Sequence, residues 1–195
     1  MVTWRTFIAI ELGQELKAEL DRLQERLREQ VPPHSVRWVQ PDGLHLTLKF
    51  LGDTPLARVE EVKSALARAA AGSEPFSFSV GGLGCFPNTR QPRVVWVGVQ
   101  EPTGALTHLQ RAVEAHIAPL GFPTEQRPFS PHLTLGRVRK EASRSEVQQI
   151  GQVVTASPVG TLGQMTATVV SYIKSDLRPS GAVYTTLFEA RLGQG

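Results

Sequence analysis

The sequence has a single cysteine and no long apolar run. Cys85 is the one cysteine among 195 residues, which excludes an internal disulfide and leaves a thiolate zinc site without ligands. No base near it in the sequence would make it a nucleophile, so we predict a buried structural thiol. No apolar run approaches the ~20 residues of a membrane helix, and the N-terminus lacks the features of a signal peptide. We therefore expect a cytoplasmic protein with no membrane partner.

The chain also has little excess charge of either sign. Its net charge is +3 and its pI about 9.3, with arginine outnumbering lysine. Arginine suits bidentate recognition of phosphate, but a general preference for arginine over lysine gives the same composition. A charge of +3 is too small to establish a nucleic-acid partner, so both interpretations stay open.

One order of elements occurs twice. A strand at Arg5–Ile10 is followed by an amphipathic helix and then by the strand His45–Leu48. A strand at Arg93–Gly98 is followed by a second helical stripe and then by His132–Leu135. The two strand starts are 88 residues apart and the two histidines 87. A matched order at a fixed offset is typical of an internal duplication.

The repeat predicts one domain over residues 1–195 that is built of two lobes. The duplicated strand–helix–strand units, at about 5–52 and 93–139, would form these lobes, related by a pseudo-twofold axis. Further predicted elements include a helix that starts at Thr54-Pro55 and ends at Gly72, and strands at Thr166–Lys174 and Ala182–Ala190. A turn around Pro179-Ser180-Gly181 joins these two strands.

The repeated tetrapeptide His-Leu-Thr-Leu has side chains suited to phosphodiester cleavage. Because successive side chains of a strand point to opposite faces, His45 and Thr47 share one face, as do His132 and Thr134. If the lobes face each other, two imidazoles and two hydroxyls converge on one cleft. Histidine can take or give a proton at neutral pH, and hydroxyls and an arginine can hold phosphate oxygens. Arg137, five residues after His132, is the candidate arginine.

A metal site is the other common use of paired histidines. The sequence contains no His-x-His, no His-Glu-x-x-His and no aspartate-rich cluster. We therefore predict a metal-independent enzyme without a cofactor.

At these motifs the sequence resembles the 2H phosphoesterase superfamily, which is named for two His-x-Thr/Ser motifs. It is most similar to the RNA 2′,3′-cyclic phosphodiesterases of bacteria and archaea, long described as 2′-5′ RNA ligases. The resemblance covers nearly the whole chain. It is carried by Phe7–Leu12, Trp38–Pro41, Leu44–Gly52, Phe86-Pro87, Arg93–Gly98, Phe129–Leu135 and Gly181–Tyr184.

The resemblance implies an α+β fold of two lobes, each with an antiparallel sheet and outer helices, around a central cleft. It implies hydrolysis of RNA 2′,3′-cyclic phosphate ends, such as those of tRNA fragments, to 2′-phosphates with expulsion of the 3′ oxygen. His45 then corresponds to the proton donor and His132 to the proton acceptor. Thr47, Thr134 and Arg137 correspond to the phosphate-binding residues. Some proteins of the family join or cleave 2′-5′ linkages, so a ligase side activity is compatible with it.

The aromatic contacts and the exact substrate are less determined. Phe50 and Trp96 are candidates to contact a base or ribose, although strand alternation puts Phe50 with Leu46 and Leu48 in the core. Two other functions remain open: a phosphodiesterase for small cyclic nucleotide phosphates, and a non-catalytic RNA-binding module. A pure binder would not need two titratable imidazoles. We expect a monomer.

Overall fold

The computed structural model describes residues 2–178 and 181–194. Its helices are Gln14–Gln30 (α1), Val59–Ala71 (α2), Ala105–Ile117 (α3) and Arg144–Ala156 (α4). Its strands are Thr3–Glu11 (β1), Val36–Trp38 (β2), His45–Pro55 (β3), Phe76–Phe86 (β4), Val94–Gln100 (β5), His132–Val138 (β6), Thr161–Ala167 (β7), Val169–Arg178 (β8) and Gly181–Arg191 (β9). None of the helices in the described ranges is both long and apolar enough to cross a bilayer.

The strands form two antiparallel sheets. One has the order β3-β1-β8-β9 and the other β2-β6-β5-β4-β7. In each sheet the strand that begins with a motif histidine lies beside the first strand of its own repeat, β3 beside β1 and β6 beside β5. The predicted α+β fold with two lobes and antiparallel sheets is confirmed.

Helices α1 and α3 each pack against the sheet that does not contain the strand preceding them. Helix α1 follows β1 but packs against β7 of the five-stranded sheet, whereas α3 follows β5 but packs against β3 of the four-stranded sheet. Helix α2 covers β8 and β9, and α4 covers β4. Each lobe therefore buries its sheet with a helix from the other half of the sequence, so the relative position of the two motif strands is fixed by shared packing.

Two predicted boundaries are wrong. Strand β3 continues to Pro55, and α2 begins only at Val59, because the Thr54 hydroxyl is buried against that of Thr6 at 2.8 Å and cannot cap a helix. The predicted strand Thr166–Lys174 is in fact the end of β7 and the start of β8. Gly72 does end α2 as expected. In the turn predicted around Gly181, Pro179 and Ser180 lie outside the described residues.

Candidate active site

The two motif strands lie side by side where the two sheets meet. Strand β3 is the edge of its sheet, and β2 pairs only with Gly136–Val138 of β6, so the first half of β6 is free of a ladder partner on that side. Strands β3 and β6 contact each other there. Gln24 of α1 links the end of β2 to β6, because its Nε2 donates to the carbonyl oxygens of Val39 at 2.9 Å and Leu135 at 2.7 Å.

Both motif strands contain a bulge at the same position of the repeat. In the β1–β3 ladder Ile8 is opposite Lys49 and Ala9 is opposite Thr47, so Leu48 is the extra residue. In the β5–β6 ladder the pairing skips Leu135 in the same way. From each histidine onward the burial order is the same: half-buried, buried, half-buried, buried, buried, exposed.

The bulge changes which residue follows the histidine and the threonine on the open face. After two consecutive buried residues, the residue five positions beyond each histidine returns to the open side: Phe50 in one lobe and Arg137 in the other. The expectation that Phe50 joins Leu46 and Leu48 in the core is therefore wrong. Its side chain is 65% exposed, while those leucines are 0% and 4% exposed.

His45 lies in an aromatic setting. Its ring stacks on that of Phe7, with centroids 4.6 Å apart, and meets the edge of Tyr184 at 5.0 Å. Burial lowers the pKa of His45 to about 4, a shift that the Glu11 carboxylate opposes and Lys17 reinforces. The imidazole of His45 is therefore neutral at pH 7.

His132 is held by a hydrogen bond and two aromatic rings. Its Nδ1 lies 2.7 Å from the carbonyl oxygen of Ser130. Because a carbonyl oxygen can only accept, Nδ1 carries the proton, and Nε2 of the neutral ring is left with a free lone pair. The ring meets Phe86 edge-on at 4.9 Å and lies 6.3 Å from Trp96.

The two threonines and Trp96 also line the open face. Thr47 and Thr134 are half-buried two residues after their histidines, as strand alternation predicts. Trp96 is directly opposite Thr134 in the β5–β6 ladder. Its indole lies flat on β4, since a Cβ at Gly84 would come within 2.3 Å of it.

Three arginines from different strands act on Tyr184 through their charges. Burial raises the pKa of the Tyr184 hydroxyl, and Arg137, Arg37 and Arg5 act in the opposite direction. The Tyr184 ring itself contacts His45, so charges from both lobes act on a neighbour of this histidine. No sequence pattern predicted a role for Tyr184, Phe7 or Arg37, since only the pairing of distant strands brings them to this face.

Cys85 has no part in this arrangement. It is buried, and burial raises the pKa of its thiol to about 11, in agreement with the predicted structural thiol. Within residues 2–178 and 181–194, no three His, Cys, Asp or Glu side chains are grouped so as to hold a metal ion.

Comparison with known proteins decides the family. The model of the family described as LigT like phosphoesterase matches residues 10–96 and again residues 97–184. The chain belongs to this family. The RNA 2′,3′-cyclic phosphodiesterase of Methanothermobacter thermautotrophicus is 35% identical over 189 residues, 96% of this chain and 98% of the relative.

Two solved structures have a fold similar to that of this chain. A protein of Thermus thermophilus has a TM-score of 0.80 at 28% identity, covering 97% of this chain and 98% of that one. E. coli LigT in complex with 3′-AMP has a TM-score of 0.77 at 25% identity, covering 98% and 99%. Membership confirms the sequence-based identification as a 2H phosphoesterase and the prediction of an enzyme. The boundary between the two family matches, at residues 96 and 97, gives each match one His-Leu-Thr-Leu motif.

Proposed function

We propose that this LigT-like phosphoesterase hydrolyses RNA 2′,3′-cyclic phosphate ends to 2′-phosphates. One observation carries the proposal: the same bulged strand occurs twice, and each copy presents a histidine and a threonine on its open face. The relatives from M. thermautotrophicus and Thermotoga maritima, both named RNA 2′,3′-cyclic phosphodiesterase, support the substrate. The whole chain, 1–195, would act as one domain whose two lobes share this site.

His132 is the proton acceptor in this proposal. Its Nδ1–H is engaged by the Ser130 carbonyl, which leaves the Nε2 lone pair to take a proton from water. The water oxygen then forms a bond to phosphorus as the bond from phosphorus to the 3′ oxygen breaks. The product is a 2′-phosphate with a free 3′-hydroxyl.

His45 is the proton donor and gives its proton to the departing 3′ oxygen. Burial holds the pKa of His45 at about 4, so in this proposal the ring gains its proton as the substrate binds. A phosphate anion beside the imidazole favours the charged form and supplies the cause. We expect histidine NMR to show the pKa of His45 rising when a 2′-phosphate nucleotide is added. A pKa that stays near its value in the free protein would contradict the donor role.

Thr47, Thr134 and Arg137 hold the phosphate. The hydroxyls donate to the non-bridging oxygens, and the guanidinium offsets the negative charge that grows on them in the transition state. No step requires a metal or a cofactor, so activity should persist in excess chelator.

Two aromatic side chains would contact the nucleoside. Phe50, exposed beside Phe7 at a ring distance of 6.1 Å, stacks on the base, and Trp96 contacts the ribose. We expect Phe50→Ala to raise KM more than it lowers kcat.

The direct test is an oligonucleotide that ends in a 2′,3′-cyclic phosphate. We expect a 2′-phosphate product, with losses of roughly 10²–10⁴-fold in kcat in His45→Ala and in His132→Ala. His116→Ala on α3 is the control for loss of a histidine to which the mechanism gives no role, and it should keep full activity. Full activity in either histidine variant would contradict the mechanism, and a 3′-phosphate product would reverse the assignment of the leaving oxygen.

A sulfur leaving group separates the two histidine roles. A thiolate is a far weaker base than an alkoxide and leaves without a proton, so a substrate with sulfur in place of the 3′ oxygen removes the need for an acid. His45→Ala should recover much of its activity on this substrate, whereas His132→Ala should lose as much as before. Recovery in His132→Ala instead would exchange the two roles.

Two other activities share this chemistry. Small cyclic nucleotide phosphates would meet the same histidines, and the ratio of kcat/KM for an oligonucleotide to that for a mononucleotide distinguishes the two substrate classes. Joining of 2′-5′ linkages is the related ligase reaction, and it needs its own assay with 2′,3′-cyclic phosphate and 5′-hydroxyl ends. Our proposal includes a monomer acting in the cytoplasm.

A further inference from the structure

Two arginines face each other beside the candidate site. Arg37 of β2 is directly opposite Arg137 of β6. Residues so paired project from one face with Cβ atoms about 4.5–5.5 Å apart, and like charges in this position destabilise a sheet. In the described part of the chain, neither guanidinium forms an ion pair with a carboxylate. The pair is therefore a concentration of positive charge without a counter-ion of its own.

Both side chains are on the face that carries the motif residues. A Cβ at Gly136 would touch Val36 at 2.6 Å and Trp38 at 3.1 Å, and Val36 is part of the core. Arg37 and Arg137 alternate with these residues along their strands, so they project to the opposite face. The charges of both also act on the hydroxyl of Tyr184, where they oppose the burial that raises its pKa, and the ring of Tyr184 contacts His45.

Arg37 differs from the other two arginines near Tyr184. Arg5 is opposite Asp53 in the β1–β3 ladder, so a carboxylate is already nearby. Arg137 follows the second motif on its own strand and is used for the reacting phosphate in the proposed function. Arg37 is one strand farther out, about 4.8 Å away along the sheet, on the open edge strand β2.

We propose that Arg37 binds the internucleotide phosphate that precedes the terminal cyclic phosphate, so that the site prefers oligoribonucleotides to mononucleotides. This inference rests on the proposed function and extends it by a second phosphate subsite. RNA would leave the site across the β2 edge, where no further strand of the described residues blocks its path. A guanidinium without a protein acid nearby is suited to a phosphodiester anion because it can form two parallel hydrogen bonds.

The test compares two substrates that differ by one internucleotide phosphate. They are a nucleoside 2′,3′-cyclic phosphate and a dinucleotide that ends in the same cyclic nucleotide. Arg37→Gln should lower the ratio of kcat/KM, dinucleotide over mononucleotide, about tenfold, the cost of one hydrogen-bonded charge contact. In Arg37→Gln the negative slope of log affinity against log salt concentration for the dinucleotide should become shallower by about 0.7. Arg111→Gln, an exposed arginine on α3, is the matched control and should leave the ratio unchanged.

A neutral linkage isolates the phosphate itself. The unmodified protein should show no such preference for a dinucleotide with an internal methylphosphonate over the mononucleotide. Arg37→Gln should not lower kcat/KM for this neutral dinucleotide any further. An equal fall on both natural substrates would overturn the proposal, because Arg37 would then act on the reacting phosphate. The proposal would also be overturned if Arg37→Gln lowered kcat/KM for the methylphosphonate dinucleotide, or if it left the dinucleotide-to-mononucleotide ratio of kcat/KM unchanged. If the unmodified protein hydrolysed neither substrate, the proposed function would fail, and binding of the two 2′-phosphate products to both proteins would still decide the Arg37 contact.

Discussion

Acidification should destabilise the protein through His45. Burial lowers the pKa of this imidazole from ~6.5 in the unfolded chain to about 4 in the folded one. Between these two values the unfolded chain binds the proton more readily, so the stability of the fold decreases as the pH falls through this window. A shift of this size corresponds to about 3 kcal/mol below pH 4, and to about 2 kcal/mol between pH 7 and pH 4.5. The matching change in melting temperature is about 4–8 °C for a chain of this length.

Urea unfolding at pH 7 and pH 4.5 measures this effect. Other groups also titrate over that range, so the quantity to compare is the loss of stability between the two pH values in the native protein and in His45→Gln. We expect the variant to lose about 2 kcal/mol less than the native protein. Thr47→Val, on the same strand face, is the control, since it removes a polar group that does not titrate and should keep the native pH dependence. If His45→Gln and the native protein lost equal stability between pH 7 and pH 4.5, burial of this imidazole would not be the cause of the acid destabilisation.

Two further predictions concern close contacts between elements of the fold. Lys49 is almost fully buried and binds Glu114 of α3 at 2.7 Å, so Lys49→Met should cost about 3–5 kcal/mol in urea unfolding by leaving a buried carboxylate unpaired. Adding Glu114→Leu should restore most of that stability, and a double variant as unstable as the single one would contradict the ion-pair account. Gly151→Ala should lower the free energy of unfolding by about 1–3 kcal/mol, since its Cβ would lie 1.8 Å from the Thr89 carbonyl oxygen. Gly160→Ala, with nothing within 4 Å, is the matched control and should leave stability within about 0.5 kcal/mol.

The alternation of residues in the sequence correctly predicted which face of the strand the motif residues lie on. It failed for residues whose face depends on how the strand pairs with its neighbour. Alternation put His45 and Thr47 on one face, because that stretch of β3 is regular. It failed for Phe50, since the bulge at Leu48 depends on the pairing of β3 with β1, some 40 residues earlier in the chain. Lys49 is affected by the same bulge, which turns a lysine into the core toward a glutamate 65 residues away. No sequence window of ordinary length contains either partner.

Strand β7 was not predicted as an element separate from β8, for a different reason. The residues Thr161–Ala167 alternate weakly and include Gly163 and Gln164, so β7 has no clear apolar face. Its position is determined by pairing with β4 and by the packing of α1 against it. Tyr184 and Arg37 were overlooked for a related reason, as a lone tyrosine or arginine gives no signal until distant strands bring it to a histidine.

The repeat explains both what the two lobes share and how they differ. The bulge, the histidine and the threonine recur, yet the fifth residue after the histidine is Phe50 in one lobe and Arg137 in the other. An exposed aromatic ring suits a base, whereas a guanidinium suits a phosphate. A symmetric pair of histidines could accept a cyclic phosphate in either direction, whereas in the proposed mechanism these two unlike residues would distinguish the base side of a nucleotide from its phosphate side. On this proposal the duplicated scaffold would supply the acid–base pair, and the divergence at this one position would give the substrate its orientation.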